Sequence, residues 1–156
     1  MEDQLILIPT AKLAKEKGFD VETDKLWVNY YAGQPLNKWK LINKKDCSIS
    51  FMEFYAPTKS ILQKWIRENR GVHIVIERSA SGWFWQMCKS DGGTDLGWSD
   101  YSGPNMGGVW DSFEDALENA LQVQLLTDLG KFGHWGCYAR LAIDKSQGKE
   151  QPIKQP

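Results

Sequence analysis

Between residues 57 and 126 the spacing of apolar positions switches from helical to alternating and back to helical. After Ala56-Pro57, Thr58 is placed to cap a helix running to about Asn69, in which Ile61, Leu62, Trp65 and Ile66 form one stripe. Gly71 closes it. Val72 to Arg78 and Trp83 to Lys89 then alternate on either side of Ser79-Ala80-Ser81-Gly82, which predicts a strand, a tight turn and a second strand, with Val72, Ile74 and Ile76 toward the helix. From Gly92 to Gly108 six of 17 residues are glycine, alongside Trp98, Tyr101 and Pro104, so a long surface loop is expected there, with a brief strand near Val109-Trp110. Ser112 and Asp115 resemble a capping box, opening a helix through about Leu126 with Phe113, Ala116, Leu117, Ala120, Leu121 and Gln124 at helical spacing.

The flanks carry weaker patterns. Thr10 and Gly18 bound a short helix over Ala11 to Lys17, with Phe19 positioned to fold back onto it. Lys25 to Tyr31 and Lys38 to Ile42 read as two strands paired across Gly33-Gln34-Pro35, and Ile49 to Tyr55 as a third. Phe132 to Ile143 keeps Trp135, Tyr138 and Leu141 and reads as a docked strand. The polar segment Ser146 to Pro156 reads as a loose tail. The expected architecture is α+β: a small antiparallel sheet with a tryptophan-rich hairpin against two principal helices, plus a short N-terminal helix. One domain is expected over residues 1–145, with a flexible tail over 146–156.

Composition narrows the functional classes. A chain of 156 residues fits one domain able to bury roughly 68–70% of its unfolded surface. Eight tryptophans among 19 aromatic residues are its main apolar resource. A formal charge of -1 supplies no overall field toward nucleic acid or anionic lipid, so such binding would require a local patch. Cys47, Cys88 and Cys137 are odd in number and 41 and 49 residues apart, which suits reduced thiols better than a disulfide framework. The start Met1-Glu2-Asp3-Gln4 is acidic, the apolar run Leu5 to Ile8 is short, and no stretch reaches the length of a membrane span; a cytoplasmic protein is expected.

No catalytic residue, cofactor or metal site is assigned from the sequence. His134 and Cys137 form an H-x-x-C pair, but tetrahedral zinc requires four ligands and His73, Cys47 and Cys88 lack complementary spacing. His73 alternates with Val72 and Ile74 and is expected on the solvent side of the hairpin. Asp91, Asp95 and Asp100 miss the ligand spacing and terminal glutamate of a calcium loop. Gly103 to Gly108 is no phosphate cradle, because no Lys-Ser or Lys-Thr pair follows. Trp83, Trp85, Trp98, Tyr101 and Trp110 form the candidate binding set, since exposed rings supply contact area at little rotamer cost. One hairpin face, bearing either Trp83, Trp85 and Met87 or Phe84 and Cys88, must be buried with the core stripe. Lys59, Lys64, Arg67 and Arg70 form a second set, suited to phosphate if they converge on one face.

The segments AKLAKEKGFD (Ala11 to Asp20), APTKSILQKWIRENRGVHI (Ala56 to Ile74) and SFEDALENALQ (Ser112 to Gln122) resemble small proteins encoded in phages and prophages of gut Bacteroides-type bacteria. That resemblance covers about half the chain and implies a phage or mobile-element setting, with no residue roles. The chain departs from the pattern in its tryptophan-rich hairpin, its glycine-rich excursion and the segment beyond Gly130. Its element order also resembles double-stranded RNA-binding domains, but Asp111, Glu114, Asp115 and Glu118 stand where those domains carry phosphate-gripping basic residues. The leading expectation is a non-enzymatic accessory protein that binds a host or phage macromolecule, more readily protein than nucleic acid, through an aromatic and glycine-rich surface. A nucleic-acid-binding accessory protein is the alternative, and a small-ligand binder or enzyme comes third.

Overall fold

The structure, a computed structural model, describes residues 3–32, 35, 38–48, 50, 52–90, 95–98, 103–105 and 108–127. The chain forms two compact units, Met1–Trp65 and Ile66–Pro156. Its class is α+β, and the described residues include three α-helices and two antiparallel sheets of three strands each.

The first unit opens with the segment Gln4 to Ile6 lying along Pro57 to Lys59, joined by Ile6 N–H to Pro57 O at 3.0 Å and Lys59 N–H to Gln4 O at 2.8 Å. Helix α1, Ile8–Glu16, starts earlier than Thr10 predicts. Pro9 stands in its first turn, where the missing N–H costs nothing, and Thr10 is buried inside the helix rather than capping it. The helix closes as the Phe19 N–H returns to Ala14 O at 2.9 Å, so Phe19 is folded back and buried.

Strands β1 (Lys25–Asn29), β2 (Lys40–Asn43) and β3 (Met52–Tyr55) form the first sheet in the order β2-β1-β3. The expected pairing of the first two strands is present, with Leu26 opposite Ile42 and Val28 opposite Lys40. β1 and β2 are shorter than their apolar patterns suggest. On the central strand Leu26 and Val28 are buried on one face, which also carries Tyr55 and Glu53, while Trp27 and Phe54 share the other. Trp39 stacks on Phe54 with ring centroids 5.0 Å apart, and the Trp27 indole N–H donates to Ile6 O at 3.1 Å. A short 3-10 turn, Lys44–Asp46, follows β2. There the Lys44 ammonium pairs with the Glu22 carboxylate, and the hydrogen bond to that carboxylate raises the lysine pKa above its ordinary value. Both side chains are largely exposed, so the pair's effect on stability is expected to be small and weakened by salt.

Helix α2, Lys59–Arg70, contains the boundary between the units. Thr58 caps it as expected, accepting the Ile61 N–H on Oγ1 at 3.4 Å. Of the predicted stripe Leu62, Trp65 and Ile66 are buried, whereas Ile61 is exposed. In the first unit the Trp65 ring meets Phe19 edge-on at 5.5 Å.

The second unit holds the hairpin of β4 (Val72–Ser79) and β5 (Gly82–Lys89), in full register from Val72 opposite Lys89 to Ser79 opposite Gly82. The connection is the two-residue loop Ala80-Ser81, tighter than the four residues the sequence suggests. A third strand, β6 (Asp95–Trp98), pairs with β5; the strand predicted near Val109-Trp110 reduces to a single bridge between Trp110 and Trp83. Helix α3, Phe113–Thr127, packs on β4 and β5, so α3 covers the Val72, Ile74 and Ile76 face. Its Ser112–Asp115 cap forms as predicted, with the Asp115 N–H on Ser112 Oγ at 3.1 Å. Buried α3 residues run from Ala116 and Leu117 through Ala120, Leu121, Val123 and Leu125, with polar Glu118 and Gln124 buried among them.

No described helix is long and apolar enough to cross a membrane. His134, Cys137, the segment Phe132 to Ile143 and the tail 146–156 lie outside the described residues.

Candidate functional site

The β4–β5 ladder places Ile74 opposite Met87, Ile76 opposite Trp85 and Arg78 opposite Trp83, so these side chains share one face. That face is buried near the middle of the strands and opens at the turn. Trp85 is 3% exposed, and its indole N–H donates to Asn119 Oδ1 on α3 at 2.9 Å. Trp85 is therefore a core residue, which corrects its place among the surface rings. Trp110 is also buried, because its backbone closes onto the hairpin: the Trp83 N–H donates to Trp110 O at 2.8 Å and the Trp110 N–H to Trp83 O at 2.9 Å.

Trp83 alone of the candidate set is described with a partly open ring. It meets Phe113, at the start of α3, edge-on at 5.7 Å, and the Arg78 guanidinium lies over it at 5.6 Å. Phe113 is 38% exposed and Arg78 is exposed as well, so the two aromatic rings and one cation present a surface. The backbone of Trp98 pairs with Gln86, its side chain lies outside the description, and Tyr101 lies outside the described residues. Phe113 and Arg78 are members that sequence reasoning missed. The signal for Arg78 was its place beside the turn, where it flanks the connection opposite Trp83.

The site is held from behind by close backbone packing. Gly82 has φ +153°, and a Cβ there would lie 2.7 Å from Trp110 O and 2.8 Å from Val109 Cγ2. Gly82→Ala is expected to cost roughly 1–3 kcal/mol by forcing open the Trp83–Trp110 bridge, measured as a loss in urea-unfolding stability. A loss below about 0.5 kcal/mol would show that the bridge yields freely. Gly103 is as closely confined, with its N–H on Gly108 O at 2.9 Å.

No protein-family model, curated protein or solved structure matches this chain.

The basic set is not uniformly exposed. Lys59 is 5% exposed, with its ammonium on Gln4 Oε1 at 3.3 Å, while Lys64 and Arg67 are exposed and Arg70 is half-buried. His73 is exposed, as its strand position predicts. Among the described residues no group of three or more His, Cys, Asp or Glu side chains could hold a metal. Cys47 and Cys88 are free thiols, both half-buried.

The first unit has an open cleft of about 360 Å³ between α1 and the sheet, with Ala11, Phe19 and Leu26 as an apolar floor and Lys15, Asp20, Glu53 and Tyr55 around it. The Lys15 ammonium donates to the Glu53 backbone carbonyl at 3.0 Å, and Glu53 Oε2 accepts the Ser50 hydroxyl at 3.0 Å. Both histidines of the chain lie outside this unit, and the Cys47 thiol stands 3.7 Å from the same Glu53 Oε2.

Proposed function

We propose that the protein is a non-enzymatic binding protein that engages a macromolecular partner through Trp83, Phe113 and Arg78. The observation that carries this reading is the open end of the hairpin face, where an indole, a phenyl ring and a guanidinium meet on a braced backbone. Tryptophan and arginine are the residue types that dominate interface energetics, and rings held in place before binding lose little entropy on contact. The phage and prophage resemblance suggests a host or phage protein as the partner and the bacterial cytoplasm as the setting. Protein is favoured over nucleic acid because burial of Lys59 removes one of the four cations of the basic set.

Trp83→Ala is expected to weaken partner binding at least about tenfold while changing stability by less than about 1 kcal/mol. The measurement is quantitative capture from bacterial lysate with wild type and variant side by side, after circular dichroism shows equal folding. Equal recovery of the same partner by both proteins would exclude this surface. Recovery of nucleic acid alone, released by salt, would favour the nucleic-acid reading instead.

A further inference from the structure

Among the described residues the outer edge of β2 is unpaired, and its chemistry selects the partner. In an antiparallel pair successive residues alternate between bonding the neighbouring strand and pointing away from it. The Lys44 N–H donates to Asp24 O at 2.7 Å, which sets the phase: Lys40, Ile42 and Lys44 bond toward β1, and Leu41 and Asn43 direct their N–H and C=O groups outward. Among the described residues no backbone group bonds those outward positions, and both residues are exposed. Beside the edge lies a shallow hollow of about 330 Å³ lined by Lys25, Leu41, Ile42, Asn43 and Asp46, in which Leu41 and Ile42 are the apolar members.

Charge decides between occupants. Lys38, Lys40 and Lys45 are exposed along this stretch, and Lys25 stands opposite Asn43. Lysines on an edge discourage pairing between copies, and an antiparallel match of two β2 edges with Leu41 against Asn43 sets Lys40 opposite Lys44. The same charges attract a segment of opposite sign. We infer that β2 is a docking edge for an extended peptide segment of a partner protein that alternates acidic and apolar residues, added as a fourth strand. Main-chain bonds to Leu41 and Asn43 supply affinity, the hollow takes an apolar side chain, and the lysines take the carboxylates. This edge is in the first unit and does not depend on the hairpin surface.

The test titrates isotope-labelled full-length protein with a capped Glu-Val-Glu-Val-Glu-Val peptide and follows backbone amide resonances. Saturable binding is expected, with the largest shifts at Leu41 and Asn43. The same peptide N-methylated along one edge, a Lys-Val peptide of equal length and a Glu-Gly peptide of equal charge are each expected to bind at least about tenfold more weakly. Leu41→Pro removes one outward donor and leaves the bonds to β1 in place, and is expected to weaken binding by a similar factor. Absence of saturable binding at millimolar peptide, shifts centred away from β2, or equal binding of the N-methylated or Glu-Gly peptide would overturn the inference. If Leu41→Pro fails to fold, the N-methylated peptide decides on the unaltered protein.

Discussion

Trp85→Ala is expected to remove about 3–5 kcal/mol of folding stability. Trp85 is 3% exposed, lies opposite Ile76 in the hairpin and is tied to α3 through the 2.9 Å bond to Asn119. Truncation leaves a cavity under α3 and strips the Asn119 carbonyl of its indole donor, and the second effect alone costs about 1–3 kcal/mol if the oxygen stays buried. Total stabilities of small domains are about 5–15 kcal/mol, so this one change consumes a large part of the margin. The check is urea unfolding, in which the midpoint should fall with little change in slope. Trp85→Phe separates the two effects, keeping most of the ring volume while deleting the N–H. A loss under about 1 kcal/mol for Trp85→Ala would show that the indole is not part of the packed interior. The contrast with Trp83 is diagnostic, because two tryptophans on the same strand face are expected to respond oppositely, one in stability and the other in binding.

In the first unit the corresponding large effect is expected at Trp65. Its ring is 8% exposed and stands edge-on to Phe19, which α1 holds through the 2.9 Å bond from the Phe19 N–H to Ala14 O. Trp65→Ala is expected to cost about 3–5 kcal/mol, since it empties an aromatic site and leaves Phe19 without its perpendicular neighbour. Trp65→Phe should recover more than half of that loss, because a smaller ring still meets Phe19. Thermal and urea denaturation of both variants measure this. Equal losses for the two substitutions would mean that indole shape, rather than ring burial, sets the stability of this site.

Much of the fold was legible because its signals are local. Thr58 and Ser112 cap α2 and α3 through bonds to residues within their own first turns. The hairpin follows from alternation in two adjacent strands, and His73 falls on the outer face by the same count. Errors arose where a local rule had competition. Thr10 resembles a cap, but Pro9 accommodates an earlier helix start and places the threonine inside. The five candidate rings were indistinguishable in sequence because an indole carries the same apolar area on either side of a sheet. Among the described rings, α3 packing on β4 and β5 buries Trp85 and leaves Trp83 at the turn partly open, while the bridge to Trp83 closes over Trp110. Nothing local marks Lys59 off from the other cations of α2, since lysine is usually solvated, yet its ammonium reaches Gln4, 55 residues away.

By itself the sequence determined α2 and α3 with their caps, the β4–β5 hairpin and the α+β class, since each depends on residue spacing and on bonds between near neighbours, whereas β6 and the start of α1 escaped it. Tertiary structure alone decided that the strands divide into two sheets, that Arg78, Trp83 and Phe113 meet at one surface, and which edge of β2 is open. Those outcomes depend on contacts between distant residues, whose formation is set by ladder register and by which apolar face a helix covers, and neither is carried by any single stretch of chain.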